Sequence, residues 1–509
     1  MPTPSLRDRL FHEILMARQR VYSVRPPTPF EKIDLGLPTE IYVKREDVPP
    51  MYAYKWRGAY NRMGTLSAKE LKRGVVCASA GNHAQGVAIA ANQLGTKADI
   101  YMPRPTPHMK QQAVQKMGGS NVCIHLVGDT YDEAAAAGLK ASQNDNKTFI
   151  HPYNDLETMG GQGTIADEIV MSGQGPFDVV YLAIGGGGMA SAVACWLKEY
   201  YPNIKIVGVE GVDQASMKAA IDAGGPVDLD YVDIFCDGTA VRKVGQNTFE
   251  LCRELIDEFI TVTNEEVCNA IRHFWIAKRA ILEPAGAVGL AGLLKQKEQL
   301  TGKKVLTVTC GANIDFSQLA VIAANSGIAG NIRRHIRFHI SEEKGSLLDL
   351  LENYLEDVSI TEFQYGKLDS KEAWPVLGFD TTPEVLAQIH ERLDSDNIPY
   401  EDLTSHADVD FRIIHYDSQL FSYPWMIHLE FAERPGALAD LLQEIKGLAN
   451  ICYFNYRYTG ERIGRALIGF EFSSPKHRDE MQNFMANGPF KHAYRELEEK
   501  TLQRMLSRV

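Results

Sequence analysis

Four consecutive glycines, Gly185-Gly186-Gly187-Gly188, follow the apolar run Asp178-Val179-Val180-Tyr181-Leu182-Ala183-Ile184 and precede a helical segment that opens at Met189. Glycines in a row are an entropic liability unless the backbone must pass close to something. A buried strand, a glycine loop and a helix start, in that order, gather N–H donors and the positive end of a helix dipole around one point. That is a cradle for a phosphate. It lacks the Lys-Ser/Thr of a nucleotide loop and the Gly-x-Gly-x-x-Gly spacing with a downstream acid, which points to one phosphate monoester rather than a triphosphate or dinucleotide. A merely flexible loop is the other reading, opposed by the tight bracketing of the glycines.

Two further strand ends have the same build. The run at 74–78 leads into Ser79-Ala80-Gly81-Asn82-His83, where a helix start offers N–H groups to a carboxylate and Asn82 can bond an oxygen on an aromatic ring. Ser and Asn at such a place also serve as ordinary helix caps, and His83 alone reads as a structural histidine. The strand Lys304-Val305-Leu306-Thr307-Val308-Thr309 ends in Cys310-Gly311-Ala312-Asn313. Cys310 could set a neutral group beside a heterocyclic nitrogen, or be a core thiol. Apolar runs at 98–102 and 122–127, each followed by a helical segment, complete a βαβ pattern and a mostly parallel sheet. Such sheets bind ligands beyond the carboxyl ends of their strands.

Lys55 lies in Tyr54-Lys55-Trp56-Arg57-Gly58-Ala59, shortly after Lys44-Arg45-Glu46-Asp47. A lysine between two aromatics could rest partly desolvated against a flat ring, its pKa drawn down toward use as a nucleophile. Most lysines are solvated surface charges, so the weight of this reading comes from the glycine-rich strand ends downstream.

The chain of 509 residues is long enough for about three domains. Its formal charge of -12 argues against nucleic acid or anionic membrane as main partner and for small molecules. Eight dispersed cysteines without a Cys-x-x-Cys pair suggest reduced thiols and no metal site. No apolar run reaches the ~18 residues of a membrane span and no secretory signal is recognisable, so a cytoplasmic location is expected.

Phosphate cradle, lysine, asparagine and neutral ring partner together describe a pocket for pyridoxal 5'-phosphate. Their order resembles the fold-type II pyridoxal phosphate enzymes, most closely the biosynthetic threonine dehydratases. The resemblance rests also on His151-Pro152-Tyr153, Gly161-Gln162-Gly163-Thr164, Gly238-Thr239-Ala240-Val241 and Glu283-Pro284-Ala285-Gly286-Ala287. It implies that Lys55 holds the cofactor and acts as catalytic base. Asn82, Gly185, Gly186, Gly187, Gly188, Met189 and Cys310 would complete the cofactor site, and Ser79, Ala80, Gly81, Asn82 and His83 would hold the substrate. Tyr54 stands where the family has phenylalanine, and Cys310 where many members have serine. The expected reaction is deamination of L-threonine to 2-oxobutanoate, with L-serine secondary. A serine-preferring dehydratase is the near alternative. A serine racemase is another, but it would carry serine where this chain has Ala80, and a more acidic set than Glu210 to Ser216. A chain acting mainly as a sensor is a third, opposed by retention of Lys55.

After about residue 330 a repeat begins, in which one constant offset carries Glu342 onto Glu433, Gly345 onto Gly436, Leu350-Leu351 onto Leu441-Leu442, Phe363 onto Phe454 and Gly378-Phe379 onto Gly469-Phe470. Each copy reads as a ferredoxin-like βαββαβ module. The expected domains are 1–330, with a small subdomain at roughly 50–150, then 331–415 and 416–509. The copies resemble ACT-like regulatory domains, which implies isoleucine as inhibitor, valine opposing it, and a homotetramer. Glu433, Gly436, Ala437, Leu438 and Asn450 are the candidate effector residues. Packing modules that hold an oligomer together are the other reading.

Overall fold

The computed structural model describes residues 4–49, 51–316, 318–329, 333–341, 346–356, 358–364, 371–404, 422–432, 449–456, 463–487 and 494–497. The chain divides into two compact units, Met1–Ser326 and Gly327–Val509.

The first unit holds two sheets. The larger runs, in spatial order, Phe30–Ile33, Glu40–Arg45, Lys304–Thr309, Val179–Ala183, Lys205–Gly211 and Glu258–Val262. Its first pair is antiparallel and every other pair parallel. The smaller is wholly parallel, in the order Val122–Leu126, Ala98–Met102, Val75–Ala78 and Thr148–Phe149. In the large sheet the last strand of the chain order, Lys304–Thr309, inserts beside Val179–Ala183, while the chain after Val179–Ala183 moves off the other way. The order therefore reverses between these two strands, and a crevice opens at their carboxyl ends, where Cys310 and the four glycines begin.

Burial follows from the parallel architecture. Val179–Ala183 is buried along its whole length, and the helix Pro284–Lys295 is buried from Pro284 to Leu293. Such elements read as continuous apolar runs because both faces are covered. The helix Leu156–Met171 is equally enclosed but carries Gly160, Gly161 and Gly163. It crosses the helix Trp56–Gly64 at near-backbone contact: a Cβ on Gly161 would stand 2.3 Å from the Arg57 carbonyl oxygen, and one on Gly58 2.6 Å from that of Thr158. Lys55 is the residue that caps the first of these helices, so this crossing sets its position.

A buried charge cluster lies beside the crossing. The Arg57 guanidinium, wholly unexposed, donates from Nε and Nη2 to Glu46 at 2.9 Å each and bonds both oxygens of Glu168. Lys44 Nζ, equally unexposed, lies 2.6 Å from Glu168. Burial pushes the Glu168 carboxyl up, but Arg57 and Lys44 outweigh it and hold it below the usual range.

The second unit contains two four-stranded antiparallel sheets of one topology. In the first copy the order is Ser359–Gln364, Val376–Asp380, Arg333–Phe338, Tyr400–Asp402; in the second it is Asn450–Tyr456, Ile463–Glu471, Trp425–Ala432, Tyr494–Glu496. Helices Ser346–Tyr354 and Pro383–Ser395 belong to the first, Pro475–Asn487 to the second. Each copy has a register shift at the same place, between Ile360 and Glu362 and between Ile451 and Tyr453. The repeat is thus kept down to its β-bulge. Glu433, Gly436, Ala437 and Leu438 lie outside the described residues. Asn450 opens its strand with Nδ2 bonded to Glu471 at 2.5 Å.

Three substitutions report on this framework. Gly161→Ala drives a methyl into the Arg57 carbonyl and should cost about 1 to 3 kcal/mol or more in urea unfolding of the full chain. Gly225→Ala, with nothing near the added carbon, should cost far less. Glu168→Gln leaves two buried cations under-compensated and should cost on the order of 3 to 5 kcal/mol. It should also remove the contribution that a depressed carboxyl provides above its unfolded pKa and loses as pH falls, flattening the acid side of the stability curve.

Candidate active site

Three chain segments of the crevice are tied by backbone bonds. Ala53 bridges Gly311, Tyr54 N–H donates to the Cys310 carbonyl at 3.3 Å, and Ala312 N–H donates to the Tyr52 carbonyl at 2.8 Å. Tyr52 takes a φ of 53°, a left-handed conformation uncommon for a tyrosine. The helix at 284–295 joins through Cys310 N–H to Gly286 O and Glu283 N–H to Gly311 O. These bonds place Lys55 and Cys310 in one pocket.

Lys55 Nζ donates to the Gly238 carbonyl at 3.2 Å. Burial lowers its pKa, against the charges of Glu283, Asp237 and Cys310, which raise it. Trp56 does not flank it as expected. Trp56 packs with Val21 and Met51, under the guanidiniums of Arg25 and Arg57 at 5.6 and 5.4 Å. Neighbouring residues on a helix point in different directions.

The glycine loop is walled in rather than loose. A Cβ on Gly185 would meet the Thr239 backbone at 2.8 Å, one on Gly186 the Tyr153 ring at 2.3 Å, and one on Gly187 Met217 at 2.6 Å. Gly187 has a φ of 85° and caps the helix Gly188–Tyr200. Among the described residues, the N–H groups of Gly185, Gly186, Gly187, Gly188 and Met189 have no acceptor. Several convergent N–H groups on a rigid loop at a helix start suit a phosphate. The buried Gln162 Oε1, also without a partner, lies against Gly188.

Asn82 Nδ2 donates to Glu283 at 2.6 Å, and its Oδ1 accepts from Asn313 at 2.8 Å. Its orientation is fixed and one N–H remains for a ligand oxygen. Gly81 faces open space; Ser79 Oγ accepts its N–H at 3.2 Å. Ala80 is buried. The His83 ring turns into the small-sheet core, with Nε2 on the Ile150 carbonyl at 2.9 Å, and burial lowers its pKa to about 3. Its Nδ1 is buried without a partner. The Cys310 thiol is pushed up by burial and stays neutral, with Sγ 3.6 Å from the Val308 carbonyl.

Sequence reasoning named the motif 283–287 but not Glu283 as a site group. Its carboxyl, desolvated and facing Asp237, is pushed up to about 7. Asn313, Asp237, Gly238 and Tyr153 were likewise missed as individual groups; the signal for each was a polar or glycine residue inside a short motif after an apolar run. Glu210 accepts the N–H groups of Met217 and Lys218 at 2.8 Å each, and Gln214 bonds the turn at 233–239. That stretch is structural. Among the described residues the group best suited to a metal is Asp99, Cys123 and His125, where the Asp99 oxygens already face His125 at 2.9 Å and Lys147 at 2.7 Å. No helix of the described residues is long and apolar enough to cross a membrane.

The chain is similar to known proteins along most of its length. The family described as pyridoxal-phosphate dependent enzyme matches residues 23–311, and the C-terminal regulatory domain of threonine dehydratase matches 326–412 and 424–505. The biosynthetic L-threonine dehydratase of Haemophilus influenzae is 38% identical over 485 residues, 92% of each chain. The chloroplastic biosynthetic threonine dehydratase of Arabidopsis thaliana is 35% identical over 89% of this chain and 77% of that one. Among solved structures, the processed form of threonine deaminase isoform 2 from Solanum lycopersicum is similar with a TM-score of 0.60 and 40% identity, covering 63% of this chain and 94% of that one. Maize serine racemase is similar with 0.57 and 27%, covering 61% and 95%. With its catalytic and regulatory halves both matched, the chain belongs to the pyridoxal-phosphate dependent enzymes, among the biosynthetic threonine dehydratases.

Proposed function

We propose that this chain converts L-threonine to 2-oxobutanoate and ammonia, with Lys55 as the group that holds the cofactor and moves the α-proton. The observation that carries the reading is the state of Lys55: half-buried, bonded to a carbonyl, and without a carboxylate at ion-pair distance among the described residues. A lysine so placed gives up its proton more easily than one in water. Pyridoxal phosphate, when bound, supplies the electron sink that makes the α-proton removable.

The chain's own groups do the rest. The N–H groups of Gly185 to Met189 would hold its phosphate. Asn82, fixed by Glu283 and Asn313, would meet its ring oxygen. Cys310 would leave its ring nitrogen without a charged partner, which would favour loss of the β-hydroxyl. The helix start at 79–83 receives the substrate carboxylate through its backbone, and the Lys55 amine takes the α-proton. Water leaves across Cα–Cβ; the resulting enamine becomes an imine, and one water returns in hydrolysis to the 2-oxo acid and ammonia. Ala80 offers no proton from the opposite face, as racemisation would require, and Glu210 and Gln214 are engaged structurally.

The second unit is read as the receiver of isoleucine, with valine opposing it, through the two βαββαβ copies. A cytoplasmic homotetramer is the assembly in view. L-serine is read as a slower substrate, since a β-methyl in an apolar pocket is worth only ~1 to 3 kcal/mol of discrimination.

Two measurements test this. Lys55→Ala should abolish 2-oxo acid release while leaving the far-ultraviolet circular dichroism intact; substantial residual turnover rejects the role of Lys55. For the intact enzyme, L-threonine should be turned over faster than L-serine and isoleucine should suppress it. Serine preference without an isoleucine response would keep the lyase and remove the pathway and regulatory assignment.

A further inference from the structure

Lys110 joins the small-sheet half of the first unit to the large-sheet half through an ion pair with Asp237. Both ends are built to hold still. Lys110 lies in the first turn of the helix His108–Gly118. The approach to that helix is closed by Thr106 Oγ1 on the Pro103 carbonyl at 2.7 Å and Gln111 Nε2 on the Thr106 carbonyl at 2.8 Å. Asp237 lies in a turn where Gln214 Nε2 donates to the carbonyls of Asp233 and Cys236, and Thr239 Oγ1 donates back to Gln214 Oε1 at 3.0 Å. The side chains retain 14% and 25% of their exposure, so water screens the pair less than it would on an open surface.

The turn matters because it presents a backbone carbonyl to the active amine. Gly238, next to Asp237, supplies the carbonyl that receives Lys55 Nζ, and a Cβ there would stand 2.7 Å from Ala285 and 3.9 Å from Glu283. The titratable groups acting on Lys55 are Glu283 from the cap of the helix at 284–295, Asp237 from the turn, and Cys310 from the strand end, while Lys55 in turn acts on His83 of the small-sheet half. Lys110 acts on Glu283 in the sense opposite to Asp237. An uncancelled Asp237 carboxylate would favour the ammonium form of Lys55 and hinder its work as a base.

We propose that Lys110 is a positioning residue that holds the 236–239 turn over Lys55 and cancels the charge of Asp237 there. This deepens the reading of Lys55 as the proton-transferring amine and rests on it.

The test uses the full-length chain as Lys110→Met, Lys110→Arg, Asp237→Asn and the double variant Lys110→Met/Asp237→Asn. Two readouts are taken: the acid limb of kcat for 2-oxo acid release, which reports the substrate-bound enzyme, and, without turnover, the pH dependence of Lys55 acetylation by acetic anhydride in the cofactor-stripped protein, followed by peptide mass. Lys110→Met should move both midpoints up by about one pH unit, roughly a tenfold loss of free amine below the midpoint. Asp237→Asn should move them down, the double variant should return close to the parent, and Lys110→Arg should keep the parent values. Should Lys110→Met fail to fold, Lys110→Gln takes its place with the same expected upward shift. Absent shifts, shifts of one sign in both single variants, or a double variant no nearer the parent than Lys110→Met would overturn the proposal. Acetylation shifts of the expected signs in a protein that releases no 2-oxo acid would instead count against the proposed reaction.

Discussion

Arg57 stands two residues from Lys55 with no exposure, and a guanidinium cannot shed its proton, so the protein must answer its charge from within. Glu46, from the end of a strand, and Glu168, from a neighbouring helix, do so, and Lys44 completes the cluster. The bonds are geometric as well as electrostatic: a guanidinium held by two carboxylates fixes the start of its helix in rotation and height. Lys55, at the cap of that helix, inherits the placement. Two enclosed lysines thus differ in their partners. Burial draws both pKa values down, but Lys44 faces the Glu168 carboxylate at 2.6 Å, which opposes the shift, whereas Lys55 meets a neutral carbonyl at 3.2 Å. The role proposed for Lys55 needs the second setting, which the chain keeps two residues from a fully buried cation.

The close helix crossing is the steric side of the same constraint. Glycines at 58 and 161 admit carbonyl oxygens of the facing helix where any side chain would collide. This explains the Gly-Gln-Gly wording of that motif more directly than any role for its glycines in binding. The catalytic crevice and the core packing beneath it are therefore one design, in which moving a helix by an ångström moves the amine.

Much of this was legible in the residues. Runs such as 98–102 and 304–309 give strands because they are apolar and bounded by glycine or polar residues, and the glycine loop stands where its bracketing elements require. The loop's stiffness was not legible, since it comes from Tyr153 and Thr239, distant in sequence. Nor was the setting of Trp56, which local order placed beside Lys55 and the fold turned toward Met51. Glu283 escaped notice because one carboxylate before a proline reads as a helix start; its meaning arises only when Asn82, 201 residues away, bonds it. The C-terminal repeat shows the reverse case. Matching apolar positions foretold two modules, and the shared bulge arises because an extra residue on an edge strand must be kept in register if the rest of that strand is to keep its apolar face inward.

What the crevice lacks shapes its chemistry as much as what it holds. On the proposed reading, a neutral thiol at the strand end would leave the cofactor's ring nitrogen without a charged partner, which would favour loss of the β-substituent. Ala80, on the same reading, would supply no acid for racemisation. Gln214, bonded to Cys236 and Thr239, shapes the turn that presents the Gly238 carbonyl to Lys55, so the stretch that a racemase would give to a metal here supports the base. Each feature alone permits several reactions of an amino acid. Together they leave one proton-moving group on one face and a favoured exit at the β-carbon, which is the requirement for elimination.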